Sequence, residues 1–545
     1  MTEKEFNLLD EPWILAINHK GEMEELSLID VFRRAHELQG LAGELPTQDI
    51  AILRILLAIL HATFGRLDTK GNAAPISAQS EAQPTDALAR WKDLWGRGQF
   101  PCSIIESYLS KYHDRFWLFH PERPFFQVAA LANTPTTSYG VSKLNGELSE
   151  STNKIRLFQQ RTGASKAALK YNEATRWLIY INAFDDTSAK PKGKDMPSPG
   201  VGWLGKLGLV IAIGNNLFET LMLNFVLLQN GEDKLWDNEK PVWELEQVKL
   251  DERTPITMPT NASQLLTLQS RRLLLVRDGE SVIGYGLLGG DFFPKENSFA
   301  EHMTIWRNAA KKEGAVPEFV PRRHDPSRKL WRDFASLSAQ GVGNNRPGII
   351  KWLGRLKHEG IIHHSHFIFH TAATHYGDKD FFVDDAFSDS LSFNSGLLSD
   401  LGAKWVYRII NEIETTSQLV RQLWFLARNL AIADGGSNEN DRGNTAKEQA
   451  YYQLDAPFRQ WLDGIDPEEE MDDACLEWFT IARRIIRSIG KELLNQCGPQ
   501  AYIGREVKIK DKTHLYTAPD LFNQFLSQTK DRAALERSGK KEVKR

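Results

Sequence analysis

Residues 404–431 read KWVYRIINEIETTSQLVRQLWFLARNLA, and the apolar positions Val406, Ile409, Ile410, Ile413, Val420, Leu423, Trp424, Ala427 and Ala431 recur mostly three or four apart. That spacing is the stripe of a long amphipathic helix. Similar stripes follow at 450–461, at 478–494 (Trp478, Phe479, Ala482, Ile485, Ile486, Ile489, Leu493) and at 521–526. Only four of the 23 prolines, Pro457, Pro467, Pro499 and Pro519, lie beyond residue 400, and each is read as standing near a helix boundary. Four helices joined by polar loops predict a four-helix bundle over 396–545.

Working outward from the bundle, residues 1–395 are mixed. Helical patterns at 28–38 and 48–64 alternate with short strand-like runs at 13–17, 207–213, 273–277 and 366–369. The expected class is therefore α+β: an irregular mixed N-terminal domain followed by the bundle. A chain of 545 residues exceeds what one core usually sustains, which agrees with two domains. Its 41% hydrophobic and 25% charged residues are those of a chain that folds. Long polar stretches at 68–84 and 184–199 are expected to be mobile loops. No internal repeat is visible.

No basic-then-apolar leader opens the chain, and the most apolar runs, 207–214 and 50–64, are too short or carry Arg54 and His61. A cytoplasmic protein with no membrane partner is the expectation. Cys102, Cys475 and Cys497 form no CxxC pair, which argues against a disulfide scaffold or a cysteine zinc site. They read as small buried hydrophobes. The net charge of −4 hides an asymmetry. Residues 151–206 hold ten Lys/Arg against four Asp/Glu, whereas 463–477 hold eight acids and no base. Anion binding therefore belongs to the earlier segment.

Gly200-Val201-Gly202-Trp203-Leu204-Gly205 fits the GxGxxG pattern of dinucleotide folds. A Lys/Pro-rich loop precedes it and a strand-like run follows, the reverse of what that fingerprint requires. It reads as a flexible turn, or as a glycine loop whose bare backbone approaches another partner. Lys190, Lys192, Lys194 and Lys206 flank it, a setting suited to phosphate. A second basic run, Arg322, Arg323, Arg328, Lys329 and Arg332, encloses Trp331; the bland reading of either run is a solvated face. His363, His364, His366, His370 and His375 gather around a strand, with Asp384, Asp385 and Asp389 as possible oxygen donors, so a metal-dependent nuclease or phosphohydrolase is the alternative function. Structural histidines are the simpler reading. Arg323-His324-Asp325 contains a His-Asp pair, but a dipeptide carries little weight and a surface turn is the better reading. No GxSxG, Walker loop or Cys/His nucleophile signature occurs. Enzyme chemistry has no motif to support it.

An ordered series of blocks resembles the CasA family, the large subunit of type I-E CRISPR surveillance (Cascade) complexes. The blocks are Phe6-Asn7-Leu8-Leu9-Asp10-Glu11-Pro12-Trp13-Ile14, Trp117-Leu118-Phe119-His120-Pro121-Glu122-Arg123-Pro124-Phe125-Phe126-Gln127 and Asn216-Leu217-Phe218-Glu219-Thr220. Thr267-Leu268-Gln269-Ser270-Arg271-Arg272, His324-Asp325-Pro326 with Leu330-Trp331-Arg332, and Leu454-Asp455-Ala456-Pro457-Phe458-Arg459 complete the series. The resemblance implies a mixed N-terminal domain and a C-terminal four-helix bundle. It also implies a protein that is not an enzyme and needs no cofactor. Its partners would be double-stranded target DNA, guide RNA, the other Cascade subunits and a helicase-nuclease recruited after target binding.

By the same resemblance, three elements meet the short motif beside the target (the PAM) from the minor groove. A loop with Leu157, Phe158 and Gln159 at its tip is one, and Gly200, Val201 and Gly202 of the glycine loop are the second. The third is a wedge after Tyr376-Gly377-Asp378, with Lys379, Asp380 and Phe381 at its tip. Family members often carry glutamine where Asp380 stands, which leaves the unstacking to Phe381 or shifts the register by one. Lys295 is the candidate for a lysine directed into the groove. The cysteine-rich metal knuckle of some members has no counterpart. Minor-groove readout is degenerate, so several related motifs would be tolerated, with identity checked by RNA pairing. A subunit that contacts RNA and protein without reading DNA is a third reading.

Overall fold

The computed structural model describes residues 4–150, 161–188, 198–246, 258–310, 318–339, 345–399, 402–509 and 512–543. The chain divides into two compact units. One comprises Met1–Leu330 and Gln340–Ser390, the other Trp331–Ala339 and Leu391–Arg545. The division thus falls five residues before the expected boundary, and the second unit also takes a piece from the middle of the chain.

The first unit is built on helix α1 (Pro46–Phe64), whose residues are almost all buried. A helix apolar on every side belongs inside a core. Among the described residues it is the one helix long and apolar enough to cross a membrane, and 94% of that window is buried within the protein. Pro46 at the first turn starts it earlier than the expected 48, so the run is longer than the sequence reading allowed. Arg54, which counted against a membrane span, is satisfied in the core by both carboxylate oxygens of Glu301, at 2.9 and 3.0 Å. Burial alone would raise the Glu301 carboxyl; Arg54 holds it below its usual range. Helix α2 (Tyr171–Phe184) packs on α1.

Five strands complete the scaffold of interest: β1 (Ile211–Ile213), β2 (Arg271–Asp278), β3 (Ser281–Gly289), β4 (His366–Tyr376) and β5 (Val383–Asn394). In one sheet β3 lies between β2 and Thr137–Gly140, with Leu275 opposite Tyr285. In another β4 lies between β1 and β5, with Ile368 opposite Ile213. Phe367, Phe369 and Thr371 of β4 are buried while Ile368 is 44% exposed, the alternation of a half-buried strand.

Several expectations need correcting. The pattern at 28–38 yields a helix only over Leu28–Arg34, and Leu38 starts a strand, because Leu38–Leu41 pairs with Ile14–Asn18. The run at 207–213 is a strand only at β1. The polar stretch from 68 is pinned rather than loose. Asp68 accepts the N–H groups of Lys70 and Asn72, both at 2.8 Å, and Arg90 reaches the carbonyls of Phe64 and Ala74 at 2.7 and 3.0 Å.

In the second unit the four expected stripes are helices α3 (Ala403–Ala433), α4 (Glu439–Asp463), α5 (Met471–Asn495) and α6 (Ala518–Gln528). Trp478 of α5 packs edge-on against Phe458 of α4 at 4.9 Å and donates to Thr416 of α3 at 2.9 Å. Gly490 permits a close approach, since a Cβ there would sit 2.5 Å from Phe525 of α6 and 3.2 Å from Leu426 of α3. Pro457 lies inside α4 rather than at a boundary. A hairpin (Arg505–Ile509 with Lys512–Tyr516) and a further helix, Arg532–Val543, were not foreseen. Trp331 is fully buried, stacks on Phe458 at 4.2 Å and donates to Asp455 at 2.9 Å. It is therefore a core residue of this unit, not the aromatic member of a basic surface run.

Candidate nucleic-acid interface

Strands β4 and β5 are joined by a tight turn whose tip is Lys379-Asp380-Phe381. Gly377 opens it because a Cβ would overlap the Phe382 ring, at 1.9 Å. Gly377 N–H donates to the Phe382 carbonyl at 2.9 Å, closing the loop. Lys379 and Asp380 both take positive φ, 52° and 60°, a conformation that non-glycine residues rarely adopt twice in succession. Such strain persists where the surroundings impose it. Here Thr187 imposes it, donating its N–H to the Asp380 carbonyl at 2.9 Å and its hydroxyl to the Lys379 carbonyl at 3.0 Å. Lys379 is exposed, and Phe381 is 51% exposed.

The Asp380 carboxylate is held by Arg323 through two parallel bonds of 2.9 and 3.0 Å. Arg323 in turn lies over the Tyr376 ring, 5.3 Å from its centre. The Asp380 charge is thus neutralised locally. His324 is buried and bonded to the Leu209 carbonyl at 2.9 Å, while Arg323 and Asp325 are exposed and the Arg328 N–H donates to the Asp325 carbonyl at 2.9 Å, so the tripeptide is a surface turn anchored by its histidine.

The glycine loop packs beside the base of this hairpin. Val201 is 3% exposed and clusters with Tyr376 and Val383, which anchors the loop. Gly202 is also buried: its N–H donates to the Asp185 carbonyl at 2.8 Å, and a Cβ would fall 2.3 Å from the Ala183 oxygen. The chain thus buries two of the three loop residues assigned to DNA contact. Gly200 differs. It is half-buried with φ of +68°, and a Cβ would meet nothing nearer than the end of Lys206, at 3.8 Å. Of the three loop residues, Gly200 alone combines left-handed backbone with open space.

Arg271, 1% exposed at the start of β2, ties these pieces together. Its guanidinium holds the Asp185 carboxylate and reaches the carbonyls of Gly200 at 2.6 Å, Ser270 at 2.8 Å and Asp186 at 3.1 Å. Asp186 is paired with the buried Lys143. The Tyr376 hydroxyl donates to the Phe184 carbonyl at 2.6 Å, satisfying an otherwise orphaned group at the C-terminus of α2. Burial drives that hydroxyl's pKa well above its usual value. From the other side of the loop, Trp203 donates to Glu301, the partner of Arg54, at 3.0 Å. The end of α2, the glycine loop and the hairpin base are thus one hydrogen-bonded block.

Arg271 has no role in the sequence pattern beyond its place in the block Ser270-Arg271-Arg272. A usable signal was present: an arginine pair opening an apolar strand, and the Asp185-Asp186 doublet ending an apolar helix, both demand buried partners. Lys295 opens the short helix Lys295–Ala300. Leu157, Phe158 and Gln159 lie outside the described residues, as do Lys190, Lys192 and Lys194.

The histidines do not converge. His364 faces Glu219 at 3.7 Å, His366 and His370 bond Ser365 and Ser390 at 3.2 and 2.8 Å, and His375 faces Asp384 at 3.4 Å; His363 is exposed. The Asp389 carboxylate accepts the Leu330 N–H at 2.6 Å. Among the described residues no three His, Cys, Asp or Glu side chains are grouped as a metal would need.

With this geometry in place, comparison with known proteins is informative. The family model of CRISPR-associated protein Cse1 matches residues 7–489, and the chain belongs to that family. A Thermus thermophilus CRISPR-associated protein CasA/Cse1 is 30% identical over 345 residues, a stretch that covers 61% of this chain and 60% of that relative. The crystal structure of Thermobifida fusca Cse1 superposes with a TM-score of 0.81 at 29% identity, covering 97% of this chain and 98% of that one. A chain of a CRISPR RNA-guided surveillance complex shares the fold, with a TM-score of 0.65 at 20% identity over 90% of this chain and all of that one.

Proposed function

We propose that the chain is the large subunit of a type I-E RNA-guided surveillance complex, which reads the PAM in double-stranded DNA and helps to open the adjoining duplex. Family membership and the fold shared with a chain of such a complex support its place in the assembly. On this reading it works in the cytoplasm beside guide RNA and the other subunits, catalyses nothing itself, and recruits a separate helicase-nuclease. The observation that carries the DNA-reading part is Phe381: a half-exposed aromatic side chain at the end of a hairpin whose backbone is braced by Thr187 and whose neighbouring acid is neutralised by Arg323. An apolar wedge on a rigid mount can offset part of the cost of unstacking a base step, roughly a few kcal/mol. Gly200, Lys206 and Lys379 supply open backbone and cationic groups for the flanking groove and phosphates.

The test is Phe381→Ala in the assembled complex, with permanganate reactivity of thymines beside the PAM as the readout. Strand opening slows on intact duplex and recovers on a target whose first base pairs are mismatched. Because the side chain is only half-buried, thermal stability changes by less than about 1 kcal/mol. Equal defects on intact and pre-opened targets would refute the wedge.

A further inference from the structure

We infer that Arg323 is a phosphate-binding residue whose site is occupied, in the free chain, by the Asp380 carboxylate. The inference rests on the DNA-facing role proposed for the hairpin tip and adds a built-in competitor to it. A guanidinium receives a carboxylate and a phosphate through the same two-pronged geometry. Asp380 fills that fork at 2.9 and 3.0 Å. The pair faces water, with Arg323 and Asp380 side chains 38% and 33% exposed, so it is weak and screened by salt. A phosphodiester arriving at the tip can therefore displace it. Arg323 would keep its position after the exchange because it also lies on the Tyr376 ring.

The turn does not depend on the acid. Its backbone is fixed by Thr187 and by the Gly377–Phe382 hydrogen bond, neither of which uses the Asp380 side chain. Nor does the left-handed conformation require a charge, since asparagine adopts it as readily as aspartate. What the carboxylate contributes is a competing anion, which lowers the affinity of the tip for any phosphate backbone. A protein that samples many sequences before settling gains from weak arbitrary contacts.

The experiment uses the full chain and a short duplex of arbitrary sequence, titrated at several salt concentrations. Asp380→Asn tightens binding by roughly three- to tenfold, because no carboxylate then has to be displaced before Arg323 takes the phosphate. Combining it with Arg323→Lys, which keeps the charge and loses the fork, removes the gain. Asp378→Asn, the same charge change two residues away, leaves affinity within about twofold. Circular dichroism and melting of Asp380→Asn match the wild type, so failure to fold does not enter. The inference is overturned if Asp380→Asn binds no tighter, if the Arg323→Lys combination keeps the gain, or if Asp378→Asn reproduces it. The arbitrary duplex contains no target, so failure of PAM reading, seen as equal binding of PAM and scrambled duplexes, leaves this outcome untouched.

Discussion

Replacing Arg271 with methionine keeps the aliphatic stem and deletes the group that joins the glycine loop to α2. The Asp185 carboxylate, whose side chain is 0% exposed, loses the Arg271 guanidinium, and the carbonyls of Gly200, Ser270 and Asp186 lose a donor. Breaking a buried pair from one side costs about 3–5 kcal/mol, and unsatisfied carbonyls act in the same direction without adding fully. A net loss of about 4 kcal/mol is expected. At about 2.1 cal/mol/K of unfolding entropy per residue, that lowers the melting transition of the first unit by on the order of 5 °C. Calorimetry on the full chain measures it. Asp185→Asn in the same background recovers part of the loss, because the buried charge that had faced Arg271 is removed with it. A shift below about 1 °C, or strict additivity of the two substitutions, would refute the reasoning.

The two glycines of the loop should separate. Gly202→Ala collides with the Ala183 carbonyl and costs about 1–3 kcal/mol in stability, whereas Gly200→Ala costs about 1 kcal/mol through its backbone conformation and also weakens DNA binding; denaturation and gel-shift assays on both variants check this. Burial pushes the Asp49 carboxyl up to about 7, against the hydrogen bond it accepts from Gly43 N–H, so the folded chain binds this proton more tightly than the unfolded one. That contribution is complete below the unfolded value of 3.8 and is lost as pH rises through 7. Asp49→Asn should therefore stabilise more at pH 8 than at pH 5, and equal effects in denaturant titrations at the two values would contradict the assignment. Pro457 denies α4 the hydrogen bond that residue 457 would give the Gln453 carbonyl, so Pro457→Ala should raise the stability of the second unit by about 1 kcal/mol or more in urea unfolding.

The bundle was legible because each helix carries a periodic apolar stripe, and a stripe is a local signal. Proline failed as a boundary marker at 457 because tertiary packing around Phe458 and Trp461 outweighs the lost hydrogen bond. The hairpin was legible in part: Tyr376-Gly377-Asp378 marked its turn, and Phe381 and Lys379 are exposed at the tip as expected. In the glycine loop, spacing marked the segment, yet only Gly200 keeps the openness that the motif suggests. Gly202 is glycine because its own protein occupies the space. Pairings between distant positions were out of reach of any local pattern. Arg271 finds Asp185 and Arg323 finds Asp380 across 86 and 57 positions of chain.

The piece Trp331–Ala339 has a consequence for how the protein is made. It leaves the ribosome well before the helices that bury it, and Phe458 of α4, on which Trp331 stacks, follows 127 positions later. At about 5–20 residues per second that is a wait of roughly six seconds or more, during which Trp331, Phe334 and Leu337, all fully buried in the finished fold, have no core to enter. The nascent chain thus displays an apolar segment that must be kept from aggregating until α3 and α4 have been made. Dividing the gene at Leu391 would make that condition permanent, yielding one product with an orphaned tryptophan and another with a gap where its ring should stack on Phe458.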